Sequence, residues 1–460
     1  MNDTSNIFSG FKPLAKAEWR SNVLADLKSG DFDEQLVWNT YEDFSVQPYY
    51  AREDLKSPSL VDAPRDRTWI SYQEIYVNDV VQANKEAHVA LSLDVGGILF
   101  SVDKQVHISQ LLKGIDLEKV EVSFSGREAI QVTRDYFDYL SNQNISPDKI
   151  SGYCDHDILS KWITSGSELI YKGLEDLVKL TSKAPGFSVI HIHSGDFVNA
   201  GSNFTQELAF TMNKMVEYID QLTEAGLTVK EVVSNISLEM ATTGDFFFEI
   251  AKFQAVKNLY QSILKAYGIE EEKIPVMASG SLWSKSRYEM HVNMIRNTSE
   301  AMSAILGGCD ALLVKPHDRI GRQTTAFSER IAANISNLFR EESYLDKIEN
   351  PASGSYYLES LTGLLIHHAL DLFKQTEKDG GLVAGITSGV IQKNINEVRE
   401  KKVRDLLEER FIMIGTNKYR MEGETIDVPK SSVEMQILDG RQLLNPVSLG
   451  DLYVQEKTVL

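Results

Sequence analysis

Cysteine is scarce in this sequence, since Cys154 and Cys309 are the only two in 460 residues. Two thiols are too few for a disulfide framework or a cysteine-based zinc site, and such scarcity is typical of a reducing compartment. Residues 1–12 lack the basic and apolar regions of a secretory signal, and no apolar run approaches the roughly 18 residues of a membrane helix. We therefore expect a cytoplasmic protein in which both cysteines are small core residues.

Positive charge is also in deficit, because 66 Asp and Glu against 47 Lys and Arg give a net charge of −19. Such a surface repels phosphate backbones and anionic lipid head groups, which argues against nucleic acid or a membrane as the primary partner. The hydrophobic share of 42% and the charged share of 25% are close to the globular average. The chain is therefore long and apolar enough to bury one large core.

From about residue 85, short apolar runs alternate with longer amphipathic ones, which predicts βα units and a parallel sheet. An open doubly wound sheet gives the same alternation, but neither a Gly-x-Gly-x-x-Gly turn nor a phosphate loop is present to favour it. We therefore predict an α/β fold of the (β/α)8 TIM-barrel type. The eight predicted strands cover 88–102, 120–125, 150–154, 187–194, 234–239, 275–279, 311–315 and a turn-like segment at 350–357.

Two further regions flank the predicted barrel, which we place at 61–390. Residues 1–60 form an N-terminal arm with a short amphipathic helix at 14–27, and 391–460 form a C-terminal extension. In this extension a helical stretch that starts at 382 ends at 409, and a polar tail begins at 421. The arm is too short to bury its own aromatic residues, so we expect them to pack on the barrel or on a partner chain. These residues are Trp38, Tyr41, Phe44, Tyr49 and Tyr50.

The helix after the fourth predicted strand illustrates the pattern. Its apolar residues fall at spacings of three and four, which predicts one buried stripe. Asn203 with Gln206 resembles a capping box at its start, and Gly226 is typical of a helix stop. The stripe consists of Leu208, Met212, Met215, Ile219 and Leu222.

His191 and His193 are the strongest metal candidates, because alternate strand residues point the same way. The other seven histidines supply no further ligands, so we favour the interpretation that these two fill the barrel interior. Glu239 and Glu249 suggest acid–base chemistry, but Glu249 lies in an amphipathic run where a neighbouring cation can pair with it. The segment 353–355 (Ser-Gly-Ser) has the composition of an anion-binding turn, although a structural turn is the favoured interpretation.

A series of short motifs runs along nearly the whole chain. They are LVWNT at 36–40, PYYAREDL at 48–55, RTW at 67–69, DIL at 157–159, FFFEIAK at 246–252, IRNT at 295–298, ILGG at 305–308, NPASGSYYLE at 350–359 and GTNKY at 415–419. In this order they resemble the barrel domain of the adenosylcobalamin-dependent methylmalonyl-CoA mutases. The resemblance implies that the arm wraps around a partner subunit.

The chain departs from the catalytic members of that family in its cobalamin motif. Their cobalamin domain carries Asp-x-His-x-x-Gly, which is absent here; around His317, Lys315 and Ile320 stand where Asp and Gly are required. Only about forty residues follow Tyr419, too few for such a domain. The expectation is that adenosylcobalamin belongs to the holoenzyme and is held by the partner chain.

The reactive positions of the barrel differ as well. Glu74 stands at the family's catalytic tyrosine and Tyr72 at a nearby arginine, while 153–155 (Tyr-Cys-Asp) replaces a substrate-binding Thr-x-Gln. Asp196 aligns with the histidine beside the substrate thioester. Since an ionised carboxylate donates no hydrogen bond, it cannot polarise that carbonyl. No catalytic, cofactor-binding or metal-binding residue is therefore expected in this chain.

The resemblance also implies a filled barrel axis. The family threads the pantetheine arm of coenzyme A through an axis lined by small serines, whereas ordinary barrels are filled by bulky side chains. His191 and His193 align with two of those serines, and Ile190 and Ile192 face the helices. We expect the small, non-catalytic subunit of a heterodimeric mutase that interconverts (R)-methylmalonyl-CoA and succinyl-CoA. The alternatives are a barrel subunit of a split acyl-CoA mutase, active with a separate cobalamin-binding protein, and a barrel repurposed for another ligand.

Overall fold

The computed structural model describes residues 15–28, 30–55, 68–321, 324–424, 426, 428–429 and 434–459. Three predictions fall wholly or partly outside the described residues: the absence of a secretory signal at 1–12, the start of the helix at 14–27, and the RTW motif at Arg67. Among the described helices, none is both long and apolar enough to cross a lipid bilayer.

The N-terminal region folds onto the rest of the chain through its aromatic side chains. Its elements are α1 (Lys16–Asp26), α2 (Phe32–Leu36), the antiparallel pair β1 (Trp38–Asn39) and β2 (Ser45–Val46), and a 3-10 turn at Arg52–Asp54. Phe44 and Trp38 both contact Phe248, with ring centroids 6.2 and 5.6 Å apart, and Tyr50 lies 5.7 Å from Tyr357. The arm therefore packs on its own chain, as predicted, although Trp38 remains 47% exposed.

Strands and helices then alternate, as the apolar pattern predicts. They are β3 (Ile70–Tyr76), α3 (Val80–Ser92), β4 (Gly97–Ser101), α4 (Ile108–Leu111), β5 (Glu121–Ser125), α5 (Ala129–Gln143), β6 (Ser151–Tyr153), α6 (Ile158–Ser165), α7 (Leu174–Thr181), β7 (Gly186–Ser188), β8 (Ile190–His193), α8 (Gly195–Val198), α9 (Phe204–Glu224), α10 (Val229–Val233), β9 (Ile236–Thr242), α11 (Phe246–Ala266), β10 (Val276–Gly280), α12 (Val292–Gly307), β11 (Ala311–Leu313), α13 (Ala326–Glu341) and α14 (Tyr356–Lys378).

The strands form a parallel sheet of seven in the order β5-β4-β3-β11-β10-β9-β8, which curls into a half-barrel. A second parallel pair, β6 and β7, lies between its two edges. On one side Phe124 of β5 bridges to Cys154 beside β6; on the other, only Val189 separates β7 from β8. The α/β class with a parallel sheet is thus confirmed.

One predicted strand is wrong and another is too long. Residues 350–355 form a turn and α14 begins at Tyr356, where the Ser355 side chain accepts the backbone N–H of Leu358. The 88–102 segment is the end of helix α3 followed by the shorter strand β4. The sheet instead gains β3, which the strand prediction omitted because its sequence, ISYQEIY, mixes apolar and polar residues on one side.

The main core lies between the strands and the surrounding helices. Ile190 and Ile192 of β8 are 0% exposed in this core, as the predicted alternation requires. The predicted stripe of α9, from Leu208 to Leu222, is buried there too. Asn203 and Gln206 make the predicted capping box, and Gly226 follows the helix with φ +99°. Both cysteines are buried, as predicted.

The C-terminal region returns to the carboxyl ends of the strands. It comprises α15 (Gly381–Thr387), α16 (Val390–Leu407), β12 (Ile437–Leu438), β13 (Arg441–Gln442) and α17 (Leu449–Val459). Gly389, with φ +81°, separates the two helices of the predicted helical stretch. The supposedly polar tail buries Leu449 and Tyr453 against Trp283 and Leu406. The domain limits at 60 and 390 remain predictions.

Candidate functional site

Six bulky side chains meet on the inner face of the curled sheet, and we call them the inner layer. Each comes from a different strand and is at most 4% exposed. The Tyr153 ring stacks on the His191 ring with centroids 3.9 Å apart, and Tyr72 lies 5.8 Å from Tyr153. Stacked rings leave little open space between the strands. The layer consists of Tyr72, Leu99, Tyr153, His191, Met277 and Leu313.

The Tyr72 hydroxyl and one ring nitrogen of His191 are hydrogen-bonded within the protein, whereas the buried Nε2 of His191 has no hydrogen-bond partner among the described residues. The Tyr72 hydroxyl donates to Glu121 at 2.6 Å, and His191 Nδ1 lies 2.8 Å from the Ser237 hydroxyl. Burial raises the pKa of Glu121, and burial together with Glu121 raises the pKa of Tyr72. His191 is therefore an interior residue, as the favoured interpretation holds, and its ring faces Tyr153 and Ser237.

A charged group lies at the carboxyl ends of these strands. His193 Nε2 is 2.7 Å from Asp155 and its Nδ1 is 3.4 Å from Glu239. Burial disfavours the imidazolium, but the two carboxylates outweigh it and raise the pKa of His193 well above its usual value. Burial alone would raise the pKa of Glu239, yet His193 and Lys315 lower it. His193 thus lies between two carboxylates that favour its charged form.

Asp196, which aligns with the family's thioester-binding histidine, belongs to a separate buried network. Lys214 of α9 lies 2.5 Å from Asp196 and 2.8 Å from Asp157. The Ser160 backbone N–H donates to Asp157 at 3.0 Å, and the Ser160 hydroxyl lies within hydrogen-bond distance of both carboxylates. Burial disfavours the charged lysine, but the two carboxylates raise its pKa. Asp196 therefore pairs with a lysine and accepts from Lys214 within the protein.

Glu74 and Glu249, two further candidates from the sequence, are both paired with cations. Arg319 lies 2.5 Å from Glu74. Lys252, fully buried, lies 2.8 Å from Glu249 and 3.1 Å from Glu207, which confirms the cation pairing predicted for Glu249. The sequence analysis missed Lys214 and Lys252, although a lysine inside a strongly apolar helix was a usable signal.

The turn at 353–355 is occupied by the protein itself. The Gly354 N–H donates to the Glu359 side chain at 2.8 Å, and Ser355 caps α14. Gly354 has φ +83°, which explains the glycine. The structural-turn interpretation is therefore confirmed. Over the described part of the chain, no group of three or more His, Cys, Asp and Glu side chains has a geometry that could hold a metal ion.

The histidines of this site do not fit a cobalt-binding role. Both ring nitrogens of His193 face carboxylates, and His191 is 1% exposed with Nδ1 bonded to Ser237. A metal ligand needs one free ring nitrogen that can reach the ion. The unbonded Nε2 of His191 is buried 3.8 Å from Glu239, so neither imidazole presents a free nitrogen outside the inner layer.

Comparison with known proteins identifies the family. The methylmalonyl-CoA mutase family model matches residues 81–444. The chain is 32% identical over 447 residues to the methylmalonyl-CoA mutase small subunit of Porphyromonas gingivalis, covering 91% of this chain and 71% of that protein. It is 26% identical to the methylmalonyl-CoA mutase of Escherichia coli, covering 85% of this chain and 62% of that one.

Among solved structures, the Yersinia pestis dihydropteroate synthase aligns with 66% of this chain and 98% of its own at 14% identity, with a TM-score of 0.30. A likeness at that level carries no argument about function. The sequence matches establish the family, because the family model alone spans more than three quarters of the chain, from residue 81 to residue 444. The chain belongs to the cobalamin-dependent methylmalonyl-CoA mutase family.

Proposed function

We propose that this chain is the small, non-catalytic subunit of a heterodimeric mutase that interconverts (R)-methylmalonyl-CoA and succinyl-CoA. The 32% identity to the methylmalonyl-CoA mutase small subunit of Porphyromonas gingivalis supports this assignment. In the proposal the strands close into a complete (β/α)8 barrel at 61–390, flanked by a partner-wrapping arm at 1–60 and an extension at 391–460. The partner is the large catalytic subunit, which holds adenosylcobalamin; this chain contributes no catalytic, cofactor-binding or metal-binding residue.

The inner layer is the observation that carries the proposal. A thioester arm that threads the barrel needs an open axis, and the Tyr153 ring stacked 3.9 Å from the His191 ring fills the space between the strands. Opening that space requires the two rings to leave their packed positions, at the cost of their buried contacts.

The groups that would act on the thioester are also engaged elsewhere. Asp196 is bound to Lys214 and Ser160, and Glu74 is bound to Arg319. An ionised carboxylate in an ion pair can neither donate a hydrogen bond to a carbonyl nor replace a tyrosine in radical chemistry. The contribution we propose is an interface that stabilises the large subunit in its folded form.

The decisive experiment is co-expression with the large mutase subunit from the same genome. We expect the two chains to co-purify and the large subunit to lose activity, or solubility, when expressed alone. The control is the same large subunit with an empty vector, assayed with adenosylcobalamin and methylmalonyl-CoA. Failure to form a complex would contradict the proposal.

The filled axis is tested separately by titrating methylmalonyl-CoA into this chain in a calorimeter. We expect no binding at micromolar concentrations. Tight binding would show an open axis, and mutase activity with an isolated cobalamin-binding protein would favour the split-enzyme alternative.

A further inference from the structure

A cavity of about 530 Å³ lies off the inner face of the sheet, beside the carboxyl ends of β8 to β10. Ligand pockets for small molecules range from about 300 to about 1,000 Å³. Its walls come from the arm, the first turns of α9 and α11, helix α12, and the segment 411–414. Six aromatic rings line it, those of Trp38, Tyr41, Phe204, Phe248, Trp283 and Phe411.

Two of the carboxylates in the wall of this cavity are already satisfied. Glu42 accepts the backbone N–H groups of Phe204 and Thr205, at 2.9 and 2.8 Å, and so caps helix α9. Glu207 accepts from Ser194 and Lys252. Both acids therefore hold the wall together, and neither is available to a bound molecule.

Arg296, on the wall formed by α12, differs from these two acids because it has no oppositely charged hydrogen-bond partner among the described residues. Its guanidinium donates to the Asn293 side chain at 2.8 Å and to the Ile414 carbonyl at 2.6 Å. Among the described residues no carboxylate lies within ion-pair distance of it. Glu300 and Glu289 act on it from farther away, and Glu300 is bound to Lys285 and Ser284. Burial lowers the pKa of Arg296. A partly buried guanidinium with only neutral acceptors is suited to a carboxylate ligand.

Lys402 is the second cation of the cavity, but its charge is offset. It donates to the carbonyls of Gly201 and Ser202, at 3.3 and 2.6 Å. Burial lowers its pKa to about 8 against the opposing effect of Glu42, Asp245 and Glu207. An anion beside Lys402 would meet three acids, so an anionic head group belongs at the Arg296 end.

We propose that this cavity binds an organic monocarboxylate with an apolar body, its carboxylate on Arg296 and its body along the aromatic wall. The site is distinct from the inner layer, since the two share no residue. It does not depend on the proposed subunit role, because every group in it comes from this one chain.

The test uses three probes of one shape on the full chain: 3-phenylpropanoate, 3-phenylpropan-1-ol and 3-phenylpropylamine. Calorimetry at low salt should show the acid binding about tenfold or more tighter than the alcohol, with the amine weakest. Arg296→Gln should reduce the acid to the level of the alcohol. The matched control Arg330→Gln, at an exposed position outside the cavity wall, should leave the preference intact.

A second variant locates the site independently of charge. Ser299, an exposed wall residue, changed to Trp should block all three probes, with folding checked by circular dichroism. The inference is overturned if no probe binds, if the three bind alike, or if Arg296→Gln or Ser299→Trp leaves acid binding unchanged. If Arg296→Gln does not fold, the relative affinities of the three probes and the effect of Ser299→Trp still test whether the cavity binds the carboxylate.

Discussion

Two interiors of this molecule, the inner layer and the off-axis cavity, are packed in opposite ways. The inner layer buries Tyr153 and His191 to 4% and 1% exposure. The cavity keeps about 530 Å³ open, and Ile295 on its wall is 70% exposed. Both are lined by aromatic residues, and neighbouring rings touch in both, as Phe204 and Phe248 do in the cavity wall. The difference is that the rings of the inner layer fill the space between the strands, whereas those of the cavity leave it open.

This contrast separates stability from binding capacity. Where rings stack, each one contacts several buried neighbours, and its removal leaves a cavity that costs free energy. Where rings line an open space, the faces that border the space have no packing contacts within the protein, and a bound ligand can supply them. Substitutions in the inner layer should therefore affect unfolding strongly, and substitutions at the exposed positions of the cavity wall, such as Ile295, should affect it little.

The largest effect is expected for Tyr153→Ala in the inner layer. It removes the ring stacked on His191, and loss of a buried aromatic ring costs about 3–5 kcal/mol. Urea unfolding followed by circular dichroism measures the change. Tyr153→Phe is the matched control, because it loses only the hydroxyl contact with Met277 at 3.6 Å and keeps the ring. A loss below about 1 kcal/mol for Tyr153→Ala would mean that the layer is loosely packed.

A smaller effect is expected for Tyr72→Phe, which keeps the ring and removes the hydroxyl contacts with Glu121 and, at 3.3 Å, with Ser123. The Tyr72 hydroxyl donates to Glu121 at 2.6 Å, and a buried acceptor that loses its donor costs about 1–3 kcal/mol. Because burial already raises the pKa of Glu121, we expect that pKa to rise further in the variant. Unfolding free energies at pH 5 and pH 8 should show the larger loss at pH 8, where Glu121 must be ionised. Equal losses at both pH values would contradict this account.

Much of the inner layer follows from the sequence through strand alternation. With Ile190 and Ile192 assigned to the core, His191 and His193 must face inward, and the structure places them so. The stacking of His191 on Tyr153 could not be predicted, because it joins strands whose pairing the sequence does not specify. The β3 strand was omitted. The segment 350–357 was misassigned because its two tyrosines have high strand propensity, although they begin helix α14. The helix was indicated by its N-terminal cap and by the spacing of Leu358, Leu361 and Leu365.

The cavity, in contrast, was not predictable from the sequence. Its walls join the arm, helix α12 and the segment 411–414, which lie far apart in the chain. The aromatic arm was expected to pack on the barrel or on a partner, and it does pack on its own chain while leaving Trp38 half-exposed at the rim. The volume of such a cavity depends on how side chains from distant segments pack together, and no local sequence pattern predicts that packing.

The pH dependence of the charged group above the inner layer gives a third, smaller test. The pKa of His193 is raised above its unfolded value, so its stabilising contribution is complete below about pH 6.5 and is lost as pH rises through the folded pKa. His193→Gln removes this titration. The melting temperature of the wild-type protein should therefore fall more steeply between pH 6 and pH 9 than that of the variant. Parallel curves would show that Asp155 and Glu239 do not hold the imidazole charged.

The smallest effect is expected on the cavity wall, where Ile295→Ser should change the unfolding free energy by no more than about 0.5 kcal/mol. The side chain is 70% exposed, so it loses little burial when it is replaced. The same substitution removes apolar surface from the wall of the cavity and should weaken binding of 3-phenylpropanoate measurably. A matched control is Val89→Ser on α3, which is 60% exposed and lies outside that wall. If Ile295→Ser destabilises the fold as much as an inner-layer substitution, the wall is part of the packed core and the contrast between the two interiors fails.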